Sequence, residues 1–475
     1  MNTDAIRDPQ SAIRNPKSAI FTGMTRRQSL QTLSSGFGYF AFSALSTMAA
    51  EKAAGPLAPR QPHFAPRAKR VIFLAMQGAP SHVDTFDHKP LLTRDHGKPS
   101  SRGNATLLGS PFEFAPHGQS GLMISSLFPH LAGHADDLCL INSMHTDLPN
   151  HPQATTQMHT GNFQFVRPSL GAWTLYGLGT ENDSLPGFIT LAPPNGAQNY
   201  GSAFLPAVYQ GTPVGRELRN RFARGGEQSP VSNLANAKLS PELQRVQLDF
   251  VNGLNRAKLA QDQHHPEVEG VIESFELAFR MQDEVPQVLD LSGEPESVKK
   301  LYGIDEENTG AFARQCLSAR RLAEAGVRFI QVNHGNWDHH RNLKDGLEQN
   351  CAEIDKPIAG LIADLKQRDL LKDTLIVWAG EFGRTPHGQG GNGRDHNNKG
   401  YSIWMAGGGV KGGLRYGATD DHGYQAIEDK MHIHDWHATM LHLLGLDHER
   451  LTYRYAGRDF RLTDVHGSVA KGILA

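Results

Sequence analysis

Residues able to do chemistry crowd into two stretches of this 475-residue chain. The first, Thr374 to Asn398, carries Glu381, Arg384, His387, Arg394, Asp395 and His396 around the glycines Gly388, Gly390, Gly391 and Gly393. The second, Val327 to Asn342, carries Asn333, His334, Trp337, Asp338, His339 and His340. Carboxylates and imidazoles gathered on loops are the donors of a metal site, or of a site that handles phosphate or sulfate. A capped polar loop is the plainer reading of either stretch. Two such clusters one helix apart favour a site. Histidine use agrees: 11 of the 24 histidines fall between His334 and His448, and imidazole is a common metal ligand and proton carrier.

Periodicity shows what must position them. Thr374 to Ala379 and Val327 to Val332 are short apolar runs rich in β-branched residues, which predicts buried strands. Between them Leu343, Leu347, Cys351, Ile354, Ile358, Leu361 and Leu365 recur at helical spacing. Strand, helix, strand predicts a βαβ unit with parallel strands. Both C-terminal ends then lie at one sheet edge, where an open α/β sheet handles ligands. Asp338 and Glu381 would share a crevice, with His396 in reach.

Similar patterns recur along the chain. Arg70 to Met76 predicts a strand running into a polar turn with Ser81, His82 and Asp84 as candidates, although taken singly Asp84 and Asp87 read first as turn caps. Residues 89–121 read as loop with a small hairpin, and Ser125 to Ala135 as a helix. Leu138 to Met144 predicts a strand followed by His145, Asp147, Asn150 and His151, then a helix from Thr155 closed by Gly161. Leu170 to Leu178 predicts a helix and Gly187 to Leu191 a strand. Residues 195–240 read as a surface excursion, extended by helices to about residue 300. Tyr401 to Ala406 predicts another strand. Trp436 to Leu444 predicts a helix with Asp435 as N-cap and with His434 and His437 able to face the crevice.

The formal charge of −2 offers no electrostatic case for nucleic acid. Three cysteines exclude a disulfide scaffold and a cysteine zinc cluster. Residues 1–23 read as an extension outside the fold, with Met24 a candidate start. Thr25-Arg26-Arg27-Gln28-Ser29-Leu30 resembles a twin-arginine export signal, cleaved near Ala49 or Ala50. Residues 24–50 are thus expected to be removed on export to the periplasm or the exterior, with no transmembrane span afterwards. Glu51 to Pro66 reads as a Pro/Ala-rich linker into a domain over 67–475.

Several segments together resemble a known family: QGAPSHVDTFDHKP, HPQATTQMHTGN, VNHGNWDHHRN, GEFGRTP, GNGRDHNNKGYS and the block from AGGGVKGG to the C-terminus. They are similar to the domain-of-unknown-function family 1501, a remote branch of the alkaline-phosphatase/sulfatase superfamily. The resemblance implies a three-layer α/β/α sandwich with a mixed, mainly parallel central sheet. It also implies divalent metal at strand ends and hydrolysis of phosphate or sulfate esters, of a small molecule or a polysaccharide. By that resemblance Glu381 takes the place of a metal-binding Asp, and Phe382 replaces its liganding neighbour. Gln77-Gly78 stands where sulfatases carry paired Asp ligands. His151 occupies the position of the modified nucleophile, ten residues before Gly161. Asp338-x3-Asn342 resembles an Asp-x3-His zinc pair, and His396 stands for a later zinc histidine.

The resulting expectation is zinc, calcium, magnesium or manganese held by Asp338, Glu381 and His396. His340, His334, Asp395 or water would complete the shell. His82, Asp84 and His434 are further contacts, His151 is base or nucleophile, and Arg384 and Arg394 hold an anionic group. A formylglycine mechanism needs Cys or Ser where this chain has His151. The alternative is a secreted binding or assembly protein on the same fold.

Overall fold

The computed structural model describes residues 55–100, 105–194, 196–215, 239–262 and 266–475. The expected leader and the start of the linker lie outside them. Residues from Pro56 onward form one compact unit.

In chain order the main elements begin with β1 (Arg70–Met76), α1 (His82–Thr85), β2 (Phe114–His117), β3 (Leu122–Ser125) and β4 (Leu138–His145). There follow α2 (His151–Thr160), α3 (Leu170–Leu178), β5 (Phe188–Leu191), β6 (Thr212–Val214), α4 (Pro241–Asp262) and α5 (Pro266–Leu289). Next come α6 (Glu296–Tyr302), α7 (Gly310–Glu324), β7 (Phe329–His334), α8 (Leu343–Gln367) and β8 (Thr374–Ala379). The chain continues through β9 (Gly383–Gln389), β10 (Gly393–Asn397), β11 (Tyr401–Ala406), β12 (Leu414–Tyr416) and α9 (Ile433–Leu443).

The central sheet runs β12-β4-β11-β8-β1-β7-β5-β6, with Met431–His432 added beside β4. Strand β1 pairs in parallel with both β7 and β8, so the two strands of the βαβ unit flank it. Only β11 runs against its neighbours β4 and β8, which makes the sheet mixed but mainly parallel. Both faces are covered, so the strands are apolar throughout: Val71 to Met76 of β1 and Leu375 to Trp378 of β8 are at most 1% exposed. Burying each such aliphatic side chain contributes roughly 1.5–3 kcal/mol. Phe73 meets His159 of α2 and Trp436 of α9. Helices α7 and α8 pack together beside β7 and β1. The chain ends of β1, β4, β7 and β8 therefore gather at one edge, together with the start of β11.

Local structure departs from expectation in instructive places. Ser125 to Ala135 is not an α-helix. A 3₁₀ segment forms instead at Leu131–Asp137, because the His130 and Leu131 N–H groups donate to Asp355 of α8, both at 2.8 Å. Helix α2 starts at His151, four residues before the expected Thr155, and ends at left-handed Gly161. The N-cap of α9 is His432, whose ring accepts from the His434 N–H, while Asp435 at the third helical position accepts from the His432 N–H. The glycine-rich stretch after β8 is a β9–β10 hairpin rather than a loop. In the 195–300 excursion, Tyr200, Leu205, Val208 and Tyr209 are buried and β6 joins the sheet edge. From Leu57 the segment read as linker lies along the domain, with the Arg60 N–H donating to the Leu178 carbonyl and the His63 N–H to that of Gly445.

Candidate metal centre

Four chain ends meet at the sheet edge. His151 opens α2 six residues past β4, Asp338 lies four residues past β7, Glu381 two residues past β8, and His396 sits on β10 just before β11. Loop 336–340 can settle here because Gly78, with φ +106°, lets it approach; a Cβ there would lie 2.7 Å from the Asp338 nitrogen. Gly393 does the same for the hairpin, since its Cβ would fall 2.1 Å from the His340 carbonyl.

One ligand atom from each of His151, Asp338, His340 and His396 lies within 4.8 Å of the others. Asp338 Oδ1 is 3.2 Å from His151 Nε2, 2.9 Å from His340 Nε2 and 3.3 Å from His396 Nε2. The two latter nitrogens are 2.8 Å apart. Each ring is held from behind through Nδ1. That of His151 donates to Glu381 Oε1 at 2.6 Å, that of His396 to the Pro149 carbonyl at 2.8 Å, and that of His340 to Gln389 Oε1. These acceptors fix the proton on Nδ1 and leave each Nε2 a lone pair. Three lone pairs and a carboxylate oxygen therefore converge on one point. His151 Nε2 is buried without a hydrogen-bond partner. Such an arrangement could hold a metal ion, and acceptor-backed imidazoles are the usual outer shell of a metal site. Phe382, 1% exposed, walls the point off, its ring 4.8 Å from those of both His151 and His396.

Charge distribution follows the same geometry. Burial alone would lower the pKa of His151, but the Glu381 hydrogen bond and the charges of Glu381 and Asp338 hold it above the ordinary value. His396 is lowered by burial and by the charges of Arg384 and His151. Burial opposes ionisation of Asp338, yet the Arg384 hydrogen bond and charge keep it well below the usual carboxylate range.

Glu381, expected among the ligands, stands behind them. Besides His151 it accepts the Gly78 N–H at 3.0 and 3.3 Å, and it is 1% exposed. His340 is one of the four converging groups, and so is His151, where the sequence suggested a base or nucleophile. Asp395 is half-exposed at the rim; its Oδ1 accepts the His396 N–H at 2.8 Å and lies 3.9 Å from His340 Nδ1. Arg384 is the residue expected to hold an anionic group. It is fully buried and donates to Asp338 Oδ1 (2.6 Å), the Ala79 carbonyl (2.9 Å) and the Gly78 carbonyl. Arg394 is likewise spent, gripping Asp84 at 2.7 and 3.0 Å with neither side chain exposed. His82 is buried and donates to the Gly423 carbonyl at 2.7 Å. His334 turns to Glu353 of α8 at 2.9 Å. His434 stacks on His466 beside His432, and burial with those neighbours pushes it down to about 4. His437, also expected to face the crevice, is fully buried against the Met158 carbonyl. Gln389 and the Pro149 carbonyl had no signal in the sequence, because each acts only by being near an imidazole.

A family model described as a protein of unknown function, DUF1501, matches residues 68–474. The chain belongs to the DUF1501 family. No curated protein matches this DUF1501 chain at a significant level. Solved structures similar to it include Ps i-CgsB in complex with k-i-k-neocarrahexaose, at 11% identity, covering 80% of this chain and 72% of that one, with a TM-score of 0.36. The PsFucS1 sulfatase from Pseudoalteromonas sp. is 13% identical over 86% and 71% of the two chains, with a TM-score of 0.35. The phosphonate monoester hydrolase of Agrobacterium radiobacter is 15% identical over 80% and 74%, with a TM-score of 0.31. The fold of this DUF1501 chain is mixed α/β with a mainly parallel central sheet.

Proposed function

We propose that this DUF1501 protein is an exported metal-dependent hydrolase of phosphate or sulfate esters. The observation that carries the reading is the convergence of His151, His340 and His396 Nε2 with Asp338 Oδ1. Three imidazoles and one carboxylate suit zinc, and after it manganese. Calcium and magnesium, the other expected ions, want oxygen-rich shells. A bound divalent ion would supply a Lewis acid that polarises an ester oxygen. The chain's own groups do the rest. Glu381 orients His151 and strengthens it as a donor. Arg384 compensates the Asp338 carboxylate and ties it to the turn after β1. Phe382 keeps water from the inner side of the centre. Asp395 stands half-exposed at the rim, 3.9 Å from His340 Nδ1.

A non-catalytic binding role is favoured by one observation, that Arg384 and Arg394 are both consumed by internal acceptors. The test begins with elemental analysis of purified protein. Near-stoichiometric zinc or manganese is expected in the wild type and not in Asp338→Ala. Metal-loaded wild type is then expected to turn over nitrophenyl phosphate or sulfate, and to stop when chelator is added. Metal-free wild type would sink the reading. Ligand binding that persists with chelator, without turnover, would establish the binding role instead.

A further inference from the structure

Helix α4 is apolar on two sides. Its inner side, with Leu248, Val251 and Leu259 half-buried and Asn252 buried, faces the rest of the fold and borders a cavity of about 660 Å³ lined also by α5 and β6. On its other side Leu243, Val246, Phe250 and Leu254 are 53%, 63%, 67% and 58% exposed. At about 100° per residue these four fall within an arc of roughly 80°. A surface helix that rests on its own domain by one face needs no second apolar stripe. Four large apolar side chains in a continuous row mark a surface that another molecule covers.

The charges beside the stripe identify that molecule. Asp249 and Arg256 lie seven residues apart on the same flank; Asp249, 61% exposed, is held through Oδ1 by Arg245 of its own chain, and Arg256 is exposed. Between them Gly253 opens onto free space. When two copies of one helix pack antiparallel about a two-fold axis, each flank faces its own counterpart with the direction reversed. With the axis near Gly253, Asp249 of each copy meets Arg256 of the other. Phe250 then lies against Leu254 of the other copy, and the missing Cβ of Gly253 lets the backbones approach. A parallel pairing would set this flank against the one carrying Gln247, Val251 and Lys258, where Arg256 would meet the like charge of Lys258. We propose that α4 is the homodimer interface of this protein, pairing antiparallel with α4 of a second copy.

Sedimentation equilibrium of the full chain tests this over a range of concentrations. Wild type is expected at twice the chain mass and Phe250→Glu at the chain mass, with unchanged metal content and far-ultraviolet dichroism. Asp249→Arg and Arg256→Asp should each weaken the dimer, on the order of tenfold for two lost and inverted surface pairs. The double variant should regain most of the wild-type affinity, because the flank is self-complementary again. A wild type that is monomeric throughout overturns the proposal, whatever else covers the stripe. So does a dimer indifferent to Phe250→Glu, or a double variant no tighter than the single ones.

Discussion

Glu381 is placed to support the proposed metal centre from behind, without being one of its four converging donors. Its position two residues past a buried strand brings it to the floor of the crevice, where Gly78 and His151 take up its oxygens. A carboxylate behind an imidazole fixes the tautomer and raises ligand basicity, and losing it typically costs about 10–100-fold in metal affinity. Glu381→Gln keeps the acceptor oxygen and removes the charge. Competition titration of zinc against a chromophoric chelator should therefore show binding weakened toward the lower end of that range but still stoichiometric. Asp338→Ala should abolish it. Equal losses in the two variants would place Glu381 among the ligands after all.

At the scale of elements, the β9–β10 hairpin carries His396 and Gln389 and rests on the loop carrying Asp338 and His340. The Arg394 N–H donates to the His339 carbonyl at 3.1 Å, and the Leu343 N–H to that of Asn392 at 3.1 Å. The close contact of Gly393 with His340 makes this packing intolerant of a methyl group. Gly393→Ala should cost about 1–3 kcal/mol in thermal unfolding. It should also release metal although no ligand is changed. A variant that keeps its full metal content would show the hairpin and loop to be independently placed. Strands β1, β7 and β8 were legible because strands buried on both faces are unbroken apolar runs. The hairpin was not, because Pro386 and its glycines hide the alternation that marks an antiparallel pair.

Across the whole molecule, several imidazoles are buried neutral. Burial pushes His159 and His437 down to about 3 and, with its histidine neighbours, His434 down to about 4, from 6.5. Each therefore takes up its proton in the unfolded chain at a pH where the folded chain refuses it. The stability they contribute is complete above pH 6.5 and is lost progressively as pH falls toward 3 or 4. His159→Phe, beside Phe73, should flatten this loss by on the order of 1–2 kcal/mol between pH 7 and pH 5. Urea titrations at the two pH values read it directly, and an unchanged slope would remove His159 as a cause. Among the described residues no helix is long and apolar enough to cross a membrane.

Sequence alone determined the α/β class, the βαβ unit and the chemical stock of the centre. Apolar runs, helical spacing and clustered imidazoles are local properties that survive without a fold. Asp338, His340, His396, His151 and Glu381 could all be named in advance, since donor chemistry belongs to the side chain. Only the tertiary structure decided their roles. Which of two neighbouring acids faces the converging imidazoles, and whether Arg384 meets a ligand or a row of carbonyls, depends on distances of a few ångströms between residues up to 245 positions apart. Those distances are set by the order of β4, β11, β8, β1 and β7 in the sheet, and by the glycines that let their loops close.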